Sequence, residues 1–363
     1  MTLKTKIEKA ILSQLLQINK LLEGITPSEG SPGLFHGKMG LAIYFFALAR
    51  KTNSSDHQSQ TEKIIEEVYN EAGKVTFPVD FENGLSGIAW GLCYLIKNDY
   101  VNADPDEILE DVDDRIFSYL NENMEKLPLG ISQGLLGYLV YYTYRLENAG
   151  DSGDQVIQYI HSRVVTDILN RLTQLIEEEK FQIREPALFT LDWDIPVLLV
   201  LLAKAKKLNV HPYKIDRILD FLTPLIASLY PRLHSNRLYL LLGLESILKV
   251  VPLSELRIHA DFISESISLS KIIDEECKNL NIMAINGITG LTLIGRELSE
   301  ITKESKFLFS QEQVIQKIKK SEYWKEEGYY KDIKKNIGLS TGLSGIGMLL
   351  LELLNDKNTA KVS

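Results

Sequence analysis

Apolar residues recur every three and four positions along most of this chain, with polar and charged residues between them. The spacing is clear in 62–72, 106–124, 155–179 and 214–230, and it predicts amphipathic helices. Almost no segment alternates with the period of two that is typical of strands. Other segments are apolar on nearly all sides, as buried helices are. The pattern therefore predicts an all-α protein with amphipathic outer helices and buried inner helices.

A repeated G-x-x-G motif precedes the apolar segments. The five intact copies begin at His36, Asn83, Gln133, Asn286 and Thr341. Two further copies are expected in the long interval after the third: one starts at Trp193 and has lost both glycines, and one starts at Arg237 or Tyr239 and keeps only Gly243. Seven outer–inner hairpins predict a closed α/α toroid that forms a single domain over residues 1–363. An open solenoid is the alternative, but it predicts a more polar terminal repeat than this chain has.

The glycines are expected to permit positive φ and close helix approach where the chain turns into each inner helix. The residue ahead of the first glycine is polar in all five intact copies. Asn and Thr are good N-caps, whereas His and Gln are poor ones, so capping does not explain the whole set. With the partially positive helix N-termini, these side chains are expected to line one mouth of a central cavity. The alternative is that they only terminate helices and hydrogen-bond to one another.

The charge and composition of the chain exclude several classes of function. The chain has 363 residues and a net charge of −9 with no basic block, which argues against nucleic acid and anionic membranes as partners. The N-terminus lacks the apolar core of a signal peptide, and the apolar run at 195–203 is too short to span a bilayer. We expect a soluble, cytoplasmic protein without membrane insertion. Cys93 is expected to be buried, and acidic neighbours are expected to raise the pKa of Cys277.

The periodic G-x-x-G set ahead of apolar helices resembles the lanthionine synthetase C family over residues 30–355. The resemblance implies enzymes that cyclise ribosomally made peptides by adding a cysteine thiol to dehydroalanine or dehydrobutyrine. Typical members bind one zinc ion through a Cys ahead of the fifth G-x-x-G and a Cys-His pair ahead of the sixth. This chain has Ile285 and Asn286 at the sixth copy and Leu238 near the fifth. We therefore expect a divergent member with no zinc site and no other cofactor.

The resemblance leaves two functions open: a metal-independent cyclase, which needs a general base, or a non-catalytic peptide-binding component. The expected partners are a peptide substrate or precursor and its other maturation enzymes. His36 is the first candidate base and His234 the second. The expected substrate-binding residues are Asn83, Gln133, Asp192, Asp194, Arg237 (as an anion contact), Asn286 and Thr341. The aromatic residues of the loop ahead of the last copy are expected either to contact a peptide or to pack on the rim: Trp324, Tyr329 and Tyr330.

Asp192 and Asp194, which flank Trp193 at the fourth copy, raise a function from another class. α/α toroids include sugar epimerases and glycosidases, and paired carboxylates beside an aromatic residue suit acid–base chemistry on a sugar. Glu82 is then the candidate distant partner. A simpler interpretation is that Asp192 or Asp194 caps the following helix, with Pro196 in its first turn.

Overall fold

The computed structural model describes residues 3–25, 30–74, 76–149, 154–178, 180–181, 183–278, 281–324 and 336–355. All regular elements in these ranges are helical, which confirms the all-α prediction. The α-helices in chain order are α1 (Leu3–Leu22), α2 (Lys38–Thr52), α3 (Ser55–Ala72), α4 (Leu85–Lys97), α5 (Pro105–Ile108), α6 (Glu110–Asn123), α7 (Leu135–Asn148), α8 (Gln155–Glu177), α9 (Asp194–Lys207), α10 (Pro212–Ala227), α11 (His234–Leu248), α12 (Ser254–Ser266), α13 (Leu269–Lys271), α14 (Ile288–Thr302), α15 (Gln311–Lys319) and α16 (Leu343–Asn355). Within the described ranges, no helix combines the length and apolarity needed to cross a membrane.

The chain divides into two compact units. Unit 1 comprises Met1–Phe77, Leu269–Arg296 and Lys306–Ser363, and unit 2 comprises Pro78–Ser268 and Glu297–Ser305. In unit 2 the inner helices α4, α7, α9 and α11 pack side by side in chain order, and the outer helices α6, α8, α10 and α12 pack behind them. In unit 1, α2 packs against α3 and α16, and α1 packs against α15 and α16. Each unit thus repeats the predicted pairing of outer with inner helices.

The two helix classes differ in burial as the hydrophobic pattern predicts. Outer helix α8 buries Val164, Ile168 and Leu172 on one face, whereas Tyr159 is exposed. Inner helix α11 is buried without interruption from residue 238 to residue 244. Burying a leucine side chain contributes roughly 1.5–3 kcal/mol, so the inner helices are held in place mainly by apolar packing.

The G-x-x-G glycines are required by close packing, and the prediction of positive φ at these positions is wrong. Gly84 and Gly134 have φ of −103° and −124°, which any residue can adopt. A methyl group on Gly134 would lie 2.4 Å from the carbonyl oxygen of Pro128, and one on Gly137 would lie 2.3 Å from that of Ile131. The loop before the inner helix folds back over the first turn and leaves no space for a side chain.

At α2, α4 and α7, the polar residue ahead of the first glycine does not cap the inner helix. The N-cap residue of α2, α4 and α7 is the first glycine of the motif, which offers no side-chain cap. The N-cap of α9 is Trp193, so the interpretation of Asp192 or Asp194 as its cap is also wrong. Capping therefore does not account for these polar positions.

Both cysteines are buried and unpaired. Burial raises the pKa of each thiol to about 12, and Glu276 adds to the increase at Cys277. The prediction for Cys93 is confirmed. For Cys277 the direction is right, but burial is a larger cause than its acidic neighbour.

Candidate functional site

In unit 1, the loops that precede α2 and α16 pair through their main chains. The amides of Ile337 and Gly338 donate to the carbonyl oxygen of His36 at 2.8 and 3.0 Å. This pairing places the side chains of His36 and Thr341 together, although they are 305 positions apart, with His36 Nδ1 2.5 Å from Thr341 Oγ1. The first and last copies thus supply one composite polar site.

Thr341 in turn donates to Asn336 Oδ1 at 3.4 Å. Because a threonine hydroxyl has a single proton, this orientation makes Oγ1 the acceptor of a proton held on His36 Nδ1. With a proton on Nδ1, Nε2 is the nitrogen that can accept a proton, as a general base must. Sequence reasoning missed Asn336. The sequence does contain a feature that could have indicated Asn336: Asn281 and Asn336 each lie six residues before the first glycine of their copies.

The sixth copy joins the same site through its backbone. The amide of Ile285 donates to the carbonyl oxygen of Ser340 at 2.9 Å, and the side chain of Asn286 is exposed. An aliphatic side chain at 285 and an amide at 286 do not supply the thiolate and imidazole that zinc prefers, and Leu238 is a buried hydrocarbon. The described residues contain no group of three His, Cys, Asp or Glu side chains arranged for a metal ion. The residues at the family's zinc positions therefore do not fit the ion.

In unit 2, hydrogen bonds join the second, third and fourth loops at the amino-terminal ends of the inner helices. The amides of Phe81 and Glu82 donate to Ser132 O at 3.2 and 3.0 Å, and Ser132 Oγ donates to Asp192 Oδ1 at 3.4 Å. Gln133 Nε2 donates to Glu82 Oε2 at 3.4 Å. These contacts bring five side chains of the predicted site to one end of unit 2: Glu82, Asn83, Gln133, Asp192 and Asp194.

Two carboxyl groups at this end have raised pKa values. Burial, followed by the charge of Asp192, raises the pKa of Asp194 to about 6. Burial also raises the pKa of Asp80, partly offset by backbone amides that include that of Asn83, which donates at 2.8 Å. Asn83 Oδ1 is buried and has no hydrogen-bond partner among the described residues. This end of unit 2 thus holds carboxyl groups that change protonation closer to neutral pH than usual.

His234 and Arg237 are engaged in local structure at the start of α11. His234 Nδ1 lies 3.1 Å from Ser266 O and 3.2 Å from Ser268 N. The Arg237 guanidinium donates to the carbonyl oxygens of Pro231, Arg232 and Ser266 at 2.7, 3.2 and 3.2 Å, and it lies over the Tyr230 ring at 4.3 Å. Neither geometry favours the catalytic role predicted for His234 or the anion contact predicted for Arg237.

Glu185, which sequence reasoning also missed, occupies the amino-terminal end of α11. Its carboxylate accepts from the amides of Arg232 and Leu233 at 2.9 and 3.2 Å and from Asn236 Nδ2 at 2.9 Å. No local pattern in the sequence around 185 indicates this role. At the fifth copy the chain itself therefore supplies the anion that the helix N-terminus attracts.

The aromatic loop ahead of the last copy is described only in part. Trp324 Nε1 donates to Ile318 O at 2.6 Å, and its ring packs edge-on against Tyr323. Trp324 thus packs onto its own unit. Tyr329 and Tyr330 lie outside the described residues.

Comparisons with known proteins agree with this architecture. Residues 4–162 match a family model described as lanthionine synthetase C-like protein. No curated protein matches the chain. Among solved structures, nisin cyclase has a TM-score of 0.66 at 15% sequence identity, covering 96% of this chain and 94% of that chain, and this likeness confirms the predicted α/α toroid fold. Residues 4–162 are thus similar to the lanthionine synthetase C-like family, and the chain shares its fold with nisin cyclase.

Proposed function

We propose that this protein is a metal-independent cyclase that adds a cysteine thiol of a ribosomally made peptide to a dehydroalanine or dehydrobutyrine of the same peptide. The observation that carries the proposal is the relay from His36 through Thr341 to Asn336, which orients the His36 imidazole. The fold shared with nisin cyclase supports it. We place the reaction in the cytoplasm, with the precursor peptide and its other maturation enzymes as partners.

The proposed addition needs one proton acceptor and one proton donor. His36 Nε2 takes the proton of the peptide thiol, and the thiolate sulfur forms a bond to the β-carbon of the dehydro residue as the carbon–carbon double bond breaks. The electron pair moves to the α-carbon, and the protonated His36 returns its proton there. No net oxidation or reduction occurs, and the product is the thioether. General acid–base catalysis of this kind contributes about 10²–10⁴-fold.

The test uses a synthetic peptide with one cysteine and one dehydroalanine, incubated with the protein in EDTA. Cyclisation leaves the mass unchanged, so remaining thiol is alkylated and the alkylated fraction is counted by mass spectrometry. We expect His36→Ala to slow cyclisation at least about 100-fold. Thr341→Val removes one orienting hydrogen bond, which corresponds to about 1 kcal/mol, or about fivefold in rate. Thr341→Ser keeps the hydroxyl and should restore the rate.

His211→Asn is the matched control, because His211 is an exposed histidine that takes no part in this relay. Its rate should equal that of the unmodified protein. Unchanged turnover in His36→Ala would refute the assigned base, and complete loss of cyclisation in EDTA would refute metal independence. Peptide binding without acceleration over the uncatalysed rate would favour the non-catalytic binding component instead.

Asp194 supports a second candidate, a carbohydrate-processing enzyme. A carboxyl group whose pKa is about 6 suits a general acid at neutral pH, and hydrogen bonds through Ser132 and Gln133 link Asp192 with Glu82 in the same loop set. This candidate predicts hydrolysis or epimerisation of a sugar that Asp194→Asn abolishes. A panel of aryl glycosides and reducing disaccharides tests it, and no turnover of any member would remove the candidate.

A further inference from the structure

Unit 2 contains a large cavity at the carboxyl-terminal ends of α4 and α7, opposite to the ends that carry the G-x-x-G loops. Its volume is about 1220 Å³, and α5, α6 and α8 complete its wall. Aliphatic and aromatic side chains form part of this wall, including Ile96, Phe117 and Ile157. The space is as large as those that hold small organic ligands.

The charge of the cavity wall is strongly negative. Seven carboxylates line it, against one lysine and one arginine. Arg145 forms ion pairs with Asp106 and Asp113, each at 2.6 Å. Three exposed carboxylates at the rim have no cation within ion-pair distance among the described residues: Glu107, Glu110 and Asp114. The rim therefore attracts cations and repels anions.

Tyr142 provides an independent indication of a ligand. Its side chain belongs to the cavity wall and is 1% exposed, yet its hydroxyl has no hydrogen-bond partner among the described residues. Leaving a buried hydroxyl without a partner costs about 1–3 kcal/mol. The neighbouring Tyr141 differs, because its hydroxyl donates to Asp113 at 2.5 Å. A group that enters the cavity and donates to the Tyr142 oxygen would remove this penalty.

We propose that this cavity binds an organic cation in which ammonium or guanidinium groups are carried on an aliphatic chain. Such groups only donate hydrogen bonds, which suits the rim carboxylates and the phenolic oxygen. The methylene groups suit the apolar wall, as they do when lysine side chains lie along apolar surfaces. A free polyamine and the lysine or arginine side chains of a peptide share this chemistry. The proposal does not depend on the cyclase activity.

Isothermal titration of the full chain with spermidine, and separately with acetyl-Gly-Lys-Gly-Lys-Gly-amide, tests the proposal. We expect saturable binding of at least one probe. The variant Glu107→Gln/Glu110→Gln/Asp114→Asn should weaken it at least about tenfold, because it removes the rim charge. A variant with the same change in net charge, Asp220→Asn/Glu255→Gln/Glu265→Gln, alters exposed carboxylates outside the cavity and should stay within about twofold.

Tyr142→Phe should weaken binding about fivefold, because it removes one hydrogen-bond acceptor. Tighter binding of spermidine supports a free polyamine as the ligand, and tighter binding of the peptide supports a peptide segment. The proposal is overturned if neither probe saturates, if the control variant loses as much affinity as the rim variant, or if Tyr142→Phe binds like the unmodified protein. None of these measurements requires thioether formation, so they are independent of the cyclase assay.

Discussion

Two partly buried carboxylates of unit 2, Asp113 and Asp194, lie at opposite ends of its inner helices, and their surroundings are opposite in kind. Asp113, near the carboxyl-terminal end of α7, accepts from Arg145 and Tyr141 and lies 3.5 Å from His161 Nε2. Asp194, at the amino-terminal end of α9, has no cation within ion-pair distance among the described residues, and the main charge near it is Asp192. Asp113 is compensated by a buried cation, and Asp194 is not.

The difference gives Asp113 a structural role and makes Asp194 suited to a chemical one. A buried carboxylate that is paired and hydrogen-bonded stays ionised and contributes to stability as long as its partner is present. A half-buried carboxyl without a cation holds its proton up to higher pH and is poised for proton transfer. Mutations at the two ends should therefore affect different observables, and the predictions below test that separation.

The largest effect is expected for Arg145→Met. Arg145 is 4% exposed, and its loss leaves Asp106 and Asp113 without their cation. Removing one partner of a buried ion pair costs about 3 kcal/mol at the lower end of the usual range, which fits carboxylates that are still partly exposed. Urea unfolding measures it. Arg163→Met is the control, because Arg163 is mostly exposed and its ion pair with Asp167 is 3.9 Å long, so a loss below about 0.5 kcal/mol is expected. Equal losses in the two variants would contradict the compensated role of Arg145.

Gly137→Ala tests how the loops at the amino-terminal ends of the inner helices of unit 2 are fixed in place. There, close backbone packing fixes the loops, since an added methyl group would lie 2.3 Å from Ile131 O and 2.6 Å from Phe81 Cβ. We expect a loss of about 2 kcal/mol in the free energy of unfolding from overpacking. Gly130→Ala is the matched control in the same loop, because its nearest neighbour would be Asp194 Oδ1 at 3.9 Å, an ordinary contact. If the two variants unfold alike, the close packing at Gly137 does not fix the loop.

Asp194→Asn should change how stability depends on pH. The pKa of Asp194 is raised from 3.8 to about 6, so the folded state binds its proton more tightly than the unfolded state. The associated stability is fully present below about pH 4 and is lost as pH rises through 6. Because water still reaches part of the side chain, we expect a loss of only about 1 kcal/mol between pH 4 and pH 7.5.

The asparagine variant lacks this dependence, so the difference between it and the unmodified protein should grow with pH. Asp192→Asn removes the like charge, lowers the pKa of Asp194 and should reduce the same dependence by a smaller amount. Urea unfolding at several pH values measures both. Parallel pH profiles for the unmodified protein and Asp194→Asn would show that Asp194 titrates normally.

The helical period and the repeated glycines were sufficient to predict the fold, because both are local signals that recur along the chain. The positions ahead of the glycines make His36 and Thr341 candidates for the site, but the sequence does not predict their contact, which depends on main-chain pairing between loops 305 positions apart. The roles of Asn336 and Glu185 could not be predicted for the same reason, because their partners come from other parts of the chain. His234 and Arg237 were predicted from residue type, and only the contacts to Ser266 reveal their local engagement.

The smallest effect is expected at Tyr142, which the sequence cannot distinguish from the adjacent Tyr141. Tyr141 donates to Asp113 and accepts from Arg145 at 2.9 Å, so Tyr141→Phe should destabilise the fold by about 1.5 kcal/mol. Tyr142→Phe removes a buried hydroxyl that has no partner among the described residues. Because the small void left by the oxygen offsets most of the relieved penalty, stability should stay unchanged or rise by about 0.5 kcal/mol. Thermal unfolding of both variants without added cation measures the contrast. Destabilisation of Tyr142→Phe to the same extent would mean that this hydroxyl is already hydrogen-bonded in the free protein, and it would then no longer indicate an organic cation in the cavity.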